Sequence, residues 1–500
     1  MTITRDGITT FGLRNFKAFH FLSDINICPL TVLVGSNNSG KSSILQSLAL
    51  LKQTLISGSS NTALRFDGDL VRLDNFETII STCDVSRPLE YRFNLKSKMT
   101  GRVARVYFPH LNVTRIDEQR DYTTNTDIKI KFSQGAENKV SADFSISTSI
   151  PEIMEDDETI AIFSGANFDG RNLPKLPPLP DGSLPSNVRT YGEKFMPLGF
   201  AISSENIEIR GTSSGLEVQA KDERKGGAEV PIGFLPLDFI PAINHPVRIL
   251  HNALKNRLEY MGPVRADPRP FYPVSQDSAV GSRGEGAIPY LLHHKNDPAS
   301  YWSDAEGTIK RIPMLEALSH WLQKMKITTS LTIDSVPSIA TTAKLPSVSA
   351  PEKTINLAQV GFGISQILPV LLLGLKDPQN GILLYEQPEI HLHPRLQSEL
   401  GDFFISIIRA GRTVLLETHS DYLINRLRRR IAEDSTGQLA KMVSILFVHA
   451  GTNDNPSSYV EELHVNEDGI IQNCPPDFFA ETTDEAFAII QARAERSKKR

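Results

Sequence analysis

Cysteine is scarce: Cys28, Cys83 and Cys474 are the only three in 500 residues, far apart and without a CxxC pair. That leaves no zinc finger and no disulfide framework, and it points to a reducing compartment. Long apolar runs are missing too. ILPVLLLGL at 367–375 is about half of what a bilayer span needs, and the opening MTITRDGITTFGLRNF has no apolar signal core. A cytoplasmic protein without a membrane span is expected. Charge of one sign is also lacking: 53 Lys+Arg against 58 Asp+Glu give a net −5, so no global basic field marks a nucleic-acid binder. No internal repeat stands out, and the absence of a long heptad run gives no support for a coiled-coil arm.

What is present is an ordinary globular composition, 40% hydrophobic and 22% charged, long enough for two or three domains or one large domain with an insertion. ITTFGLRNFKAF, followed by CPLTVLVGSNNSGKSSILQSLALLKQTL, reads as strand, turn, strand, glycine-rich loop and helix. Short runs such as RVARVYF, DIKIKF and ADFSIS predict a β-rich insertion over 100–235, with the acidic run 152–158 and the proline-dense 173–187 as surface loops. VRILHNALKNRLEYM and IPMLEALSHWLQKM have helical spacing, and 335–352 reads as a Ser/Thr/Ala/Pro-rich loop. The last third alternates: helix 365–375, strand 381–386, helix 394–409, strand 413–417, helix 421–432, strand 442–448. This predicts an α/β fold with a mostly parallel sheet, an antiparallel β subdomain and a helical subdomain.

Gly35-Ser36-Asn37-Asn38-Ser39-Gly40-Lys41-Ser42 satisfies GxxxxGKS between an apolar strand and a helix. The glycines let backbone N–H groups turn toward phosphates and the helix N-terminus adds its dipole. Lys41 adds a point charge, and Ser42, followed by Ser43, can ligate Mg²⁺. Nucleotide binding is the expected function of this loop.

A second apolar run, Gly381 to Glu386, ends in a carboxylate placed to hold Mg²⁺ or its water. Gln387 follows where such sites often carry a glutamate. A neutral amide orients water but is a poor base, so slow or conditional hydrolysis is expected unless Glu389 or another carboxylate substitutes. His391 and His393 read as loop or structural histidines rather than a metal pair, because i,i+2 spacing separates them on a helix.

Gly361, Gly363, Ser365 and Gln366 stand at the mouth of an apolar helix. This is either a helix cap or, with an exposed Ser365 hydroxyl and free N–H groups, an anion site. His419, at the tip of another apolar strand, is placed to sense a γ-phosphate, and Ser420 or Asp421 to cap the next helix.

LRNFKAF, GSNNSGKSS, VGFGISQILP, LLYEQPEIHLHP and ETHSDYLINRL, in this order, resemble the ATP-binding-cassette (ABC)-type ATPases of the RecF, SMC and overcoming-lysogenization-defect (OLD) group. YMGPVRADPRPFY and VGSRGEGAIPYLL look like the connecting region of the OLD-like branch. The resemblance implies that Lys41 and Ser42 bind phosphate and Mg²⁺, that Glu386 is the metal acid, and that His419 is the switch histidine. Gly363 and Ser365 would act in trans on ATP held by another copy, giving a homo-dimer or higher homo-oligomer. It further implies an N-terminal ATPase lobe over 1–99, the β-rich insertion over 100–235, a connecting region over 236–334, a C-terminal ATPase lobe over 335–450 and an extension over 451–500. The departures are Gln387, a signature reading VGFGISQ in place of LSGGQ, and a Q-loop for which Gln53 is an unconvincing candidate.

The chain is also similar to ATPase subunits of prokaryotic anti-phage systems, such as Septu PtuA, which works with an HNH nuclease, and PARIS AriA, which works with a Toprim nuclease. This implies an ATP-gated defence ATPase controlling a separate effector nuclease. A RecF-like repair or chromosome-maintenance ATPase and a weakly hydrolysing ATP-bound scaffold are the alternatives. No DxD follows His419, and His293-His294-Lys295-Asn296-Asp297 lacks the spacing of an HNH motif, so any nuclease is expected on a partner. Arg426, Arg428, Arg429 and Arg430, and the terminal RAERSKKR, are a solvated helix end and a frayed tail, or else a DNA or RNA contact.

Overall fold

A computed structural model describes residues 7–57, 63–102, 119–135, 140–149, 161–165, 188–193, 196–202, 207–212, 215–221, 229–235, 239–273, 279–336, 340–346, 352–360, 362–376, 381–452 and 455–475. The acidic run 152–158, the proline-dense 173–187, Gly361 and the basic terminus 493–500 lie outside them. The chain divides into two compact units. One comprises Met1–Ile27, Gln46–Leu258 and Gly451–Tyr459, the other Cys28–Leu45, Glu259–Ala450 and Val460–Arg500.

The chain opens with β1 (Gly7–Phe16), β2 (Phe19–Asn26), β3 (Leu30–Val34) and α1 (Lys41–Ile56). In the first unit β1 and β2 join β4 (Leu89–Arg102), β5 (Gln119–Gln134), β6 (Val140–Ser149) and β7 (Ala161–Gly165) in one sheet, ordered β2-β1-β4-β5-β6-β7. All its pairs are antiparallel. Alternation dictates this: Tyr91, Phe93 and Leu95 on β4 and Ile128, Ile130 and Phe132 on β5 are all buried on one face. Five further strands between Val188 and Leu235 form an antiparallel pair and an antiparallel three-stranded sheet, so the described part of 100–235 is β-rich as expected.

Helix α2 (Phe239–Asn252) ends in a π-helical turn, Ala253–Arg257, and the chain then becomes β8 (Leu258–Met261). The helical reading of LEYM is thereby corrected. Leu258, Tyr260 and Met261 are buried, and strand pairing overrides their helical spacing. The connecting region also holds α3 (Ala287–His294) and α4 (Met314–Lys324), separated by a hairpin of Pro298–Ser303 with Thr308–Pro313. The loop expected over 335–352 is corrected as well. β9 (Thr332–Val336) pairs with β10 (Ala340–Pro346), in which Thr341, Ala343 and Leu345 alternate inward.

In the second unit, α5 (Phe362–Leu375), β11 (Ile382–Glu386), α6 (Pro394–Arg409), β12 (Thr413–Glu417), α7 (Asp421–Glu433), β13 (Val443–His449) and β14 (Tyr459–Leu463) follow the expected alternation. Their sheet runs β8-β11-β12-β3-β13-β14, and β11, β12, β3 and β13 are parallel neighbours. These strands read as continuous apolar runs because residues of both faces are buried. Trp321 of α4 meets Phe403 of α6 edge-on at 5.1 Å within the core. Among the described residues no helix is long and apolar enough to cross a membrane.

Candidate functional site

The site lies at the carboxyl ends of the parallel strands of the second unit. β3, buried throughout, delivers the chain into Gly35–Gly40, and α1 starts at Lys41. Gly35 has φ +138, and a Cβ there would fall 2.3 Å from the carbonyl oxygen of Val448, so only glycine fits. Asn38 and Gly40 also have positive φ. Lys41 folds back over the loop, donating from Nζ to the carbonyls of Gly35 (3.0 Å) and Ser36 (2.6 Å). Burial lowers its pKa, and the negative charge of Glu417 partly offsets that. Ser36, Asn37 and Asn38 are exposed, Ser42 is half-buried, and Ser43 donates its N–H to the Gly40 carbonyl. Ser39 Oγ is buried with no hydrogen-bond partner.

β12 lies between β3 and the acidic strand β11, and in register Glu417 faces Glu386 on one side and Leu33 on the other. Two carboxylates therefore share one sheet edge, 1% and 2% exposed. Glu386 Oε1 accepts from the Tyr260 hydroxyl at 2.7 Å. Glu417 Oε1 accepts from Gln387 Nε2 at 3.3 Å, while its Oε2 is buried without a partner. The chain turns sharply at Gln387 (φ 45), whose N–H donates to the Glu417 carbonyl at 2.9 Å. The buried Arg265 guanidinium fixes this turn, donating to the carbonyls of Gln387 (2.9 Å), Pro263 (3.0 Å) and Glu386 (3.4 Å). Burial pulls its pKa down to about 10 against the opposing charges of Glu389, Tyr385 and Glu386.

Glu389 ties the acidic strand's loop to the histidine strand. Its Oε1 accepts from the Thr418 hydroxyl (2.7 Å) and the His419 N–H (2.8 Å), and burial raises its pKa. The His419 ring reaches the surface, yet partial desolvation and then the Lys41 charge hold its pKa below the ordinary 6.5. A base with a depressed folded pKa lets the unfolded chain bind its proton first, so its share of stability is lost as pH falls below about 6.5. Thermal melts from about pH 7.5 to 5.5 should show a smaller loss for His419→Gln than for the wild type. Equal slopes would mean that His419 is not shifted in the folded chain.

The model for the AAA ATPase domain (AAA_15) matches residues 7–169 and 293–424, more than half of the chain. The chain belongs to this family. The expected ABC-type, SMC/RecF-like ATPase is thus upheld at the level of an AAA ATPase domain that takes in the loop and both acidic strands. A curated relative, the cell division ATP-binding protein FtsE of Mycobacterium tuberculosis, is 33% identical over 60 residues, 12% of this chain and 26% of that protein. The chain thus spans about a quarter of that relative's length. Among solved structures, an SMC head bound to the C-terminal winged-helix domain of ScpA aligns at 11% identity and TM-score 0.38, covering 92% of this chain and 98% of that one. The SMC head domain from Thermotoga maritima aligns at 8% and 0.33, covering 92% and 100%. At such TM-scores these likenesses carry no argument.

Within this ATPase-family chain, several sequence expectations change. Ser365 is the fourth residue of α5, not its mouth, and is buried (7% exposed) beside a small cavity also lined by Asp267, Arg269 and Glu285. The exposed hydroxyl read from the sequence is corrected on that ground: the helix starts earlier and turns position 365 inward. Gly363 packs where a Cβ would lie 3.2 Å from the His391 carbonyl, and Gln366 is buried. Gln53 holds a loop instead of a ligand. Its amide donates to the carbonyls of Arg65 and Val71 and accepts from the N–H groups of Leu70 and Val71.

His393 caps α6 by accepting the Arg395 N–H, with Pro394 in the first turn, and Ser420 caps α7 through the Leu423 N–H. His294 closes α3 against Asp297 at 2.7 Å. The arginines of α7 are internally engaged: Arg426 and Arg430 on buried Asp402, Arg429 on Glu433, Arg428 on the Gly469 carbonyl. Among the described residues no three His, Cys, Asp or Glu side chains cluster as a metal site. Tyr260, Arg265 and the role of Glu417 escaped sequence reasoning, although Glu417 carries the same signal as Glu386, a carboxylate at the tip of an apolar strand.

Proposed function

We propose that this chain is an ATP-binding ABC-type ATPase that assembles as a homo-dimer or higher homo-oligomer around ATP and controls a separate effector nuclease in prokaryotic anti-phage defence, in the cytoplasm. One arrangement supports the nucleotide reading above all: a glycine-built loop with an inward lysine and two buried carboxylates on one sheet edge. Ser39 Oγ and Glu417 Oε2, buried without partners, fit a site that a bound ligand completes, the hydroxyl suiting a phosphate oxygen and the carboxylate a water or cation beside it. In this reading the N–H groups of Gly35–Ser43 and Lys41 hold the phosphates, and Ser42 and Glu386 hold Mg²⁺. Bound there, Mg²⁺ supplies charge neutralisation at the β- and γ-phosphates.

In this reading Gly363 and Ser365 of α5 act in trans on ATP held by another copy. Unless another carboxylate substitutes, Gln387, a poor base in the glutamate position, keeps turnover slow and favours a second reading, a long-lived ATP-bound scaffold. The nuclease and the defence role rest on the sequence resemblance alone.

The test is equilibrium binding of MgATP combined with light scattering. Saturable binding with a rise in mass is expected, and no retained adenine nucleotide would refute the reading.

A further inference from the structure

The position that ordinarily carries a hydrolytic carboxylate holds Gln387, and its amide is already donated to Glu417. Glu386 is engaged by Tyr260, and Glu389 by Thr418 and the His419 N–H. Glu389 Oε2 and Glu417 Oε2 are both buried without a hydrogen-bond partner, but of the three carboxylates Glu417 alone lies on the strand that pairs with β3. It sits on the strand next to β3, in register with Leu33, two residues before the phosphate loop begins. Its Oε2 is fully buried and has no hydrogen-bond partner. Leaving a charged oxygen dry and unpaired is costly, and an apolar or hydroxyl side chain would end this strand without that cost. Its charge interacts with the buried Lys41 ammonium, so the carboxylate stands beside the phosphate-binding lysine.

We propose that Glu417 supplies the carboxylate that Gln387 lacks, its Oε2 orienting the water that attacks the γ-phosphate while Gln387 fixes its other oxygen. This rests on the nucleotide reading above. The water oxygen forms a bond to the γ-phosphorus as the bond from that phosphorus to the β–γ bridging oxygen breaks. The proton passes to Glu417 and on to the departing phosphate, giving ADP and inorganic phosphate with no other reactant. Gln387 acts as a positioning residue for Glu417.

The isosteric variant Glu417→Gln should release phosphate about a hundredfold or more slower, while still binding MgATP and forming a longer-lived ATP-dependent assembly. Gln387→Glu added to that variant should restore the rate to within about tenfold of the wild type, because it returns a carboxylate to the same space. Glu417→Asp, which keeps the charge, should fall between; it also serves if the glutamine variant folds poorly. The inference is overturned if Glu417→Gln turns over like the wild type, if the second substitution fails to rescue it, or if aspartate is as poor as glutamine. A wild type that binds MgATP without any turnover also overturns it, yet spares the nucleotide reading. Failure to bind MgATP removes both.

Discussion

Lys41→Ala weakens MgATP binding by about a hundredfold or more and leaves the fold intact. Nζ is already held over the loop by the Gly35 and Ser36 carbonyls, at 3.0 and 2.6 Å, so little side-chain entropy remains to be lost on meeting phosphate. Hydrogen bonds to charged groups are worth about 1.5–3 kcal/mol each, and losing two corresponds to about two orders of magnitude or more in affinity. The fold tolerates the change because Lys41 is a buried ammonium, with burial the leading cause of its lowered pKa, and Ser36 is open to water that replaces the lost donor. Titration calorimetry beside a thermal melt separates the two effects. Affinity within threefold or so of the wild type would place the phosphates elsewhere.

Arg265→Leu strikes the fold itself. Without the guanidinium, the carbonyls of Gln387 and Glu386 lose their donor at a turn where Gln387 is held at φ 45, and buried Glu389 loses its nearby cation. Removing one member of such a buried charged cluster costs about 3–5 kcal/mol. A denaturation midpoint reads it, with loss of MgATP binding alongside. Arg265→Lys should recover little, since one ammonium cannot span the carbonyls that the planar fork reaches together. A midpoint unchanged in Arg265→Leu would mean that the turn holds itself.

Local signals carried most of the site's frame. The run LTVLV before Gly35, His393-Pro394 at the start of α6 and Ser420 at the start of α7 specify their own boundaries through burial, φ restriction and capping. What escaped depends on contacts far along the chain. Tyr260 meets Glu386 across 126 residues and Arg265 meets Gln387 across 122, and no periodicity encodes such a meeting. LEYM shows the same limit, since its helical spacing yields to the neighbouring strand. The pairing of Arg426 and Arg430 was hidden in the same way, because Asp402, their buried counter-charge, lies on a different helix.

The central claim is that one triphosphate is held by the loop of residues 35–43 and completed by Glu386 and Glu417 from the neighbouring strand tips. An experimental structure of the full chain with MgATP, or with a slowly hydrolysed analogue, tests it most directly. The account predicts the γ-phosphate at Lys41 Nζ, the cation between Ser42 and Glu386, and a water at Glu417 Oε2 facing the phosphorus. Nucleotide bound away from Lys41, or Glu417 Oε2 turned from the phosphate, would contradict it.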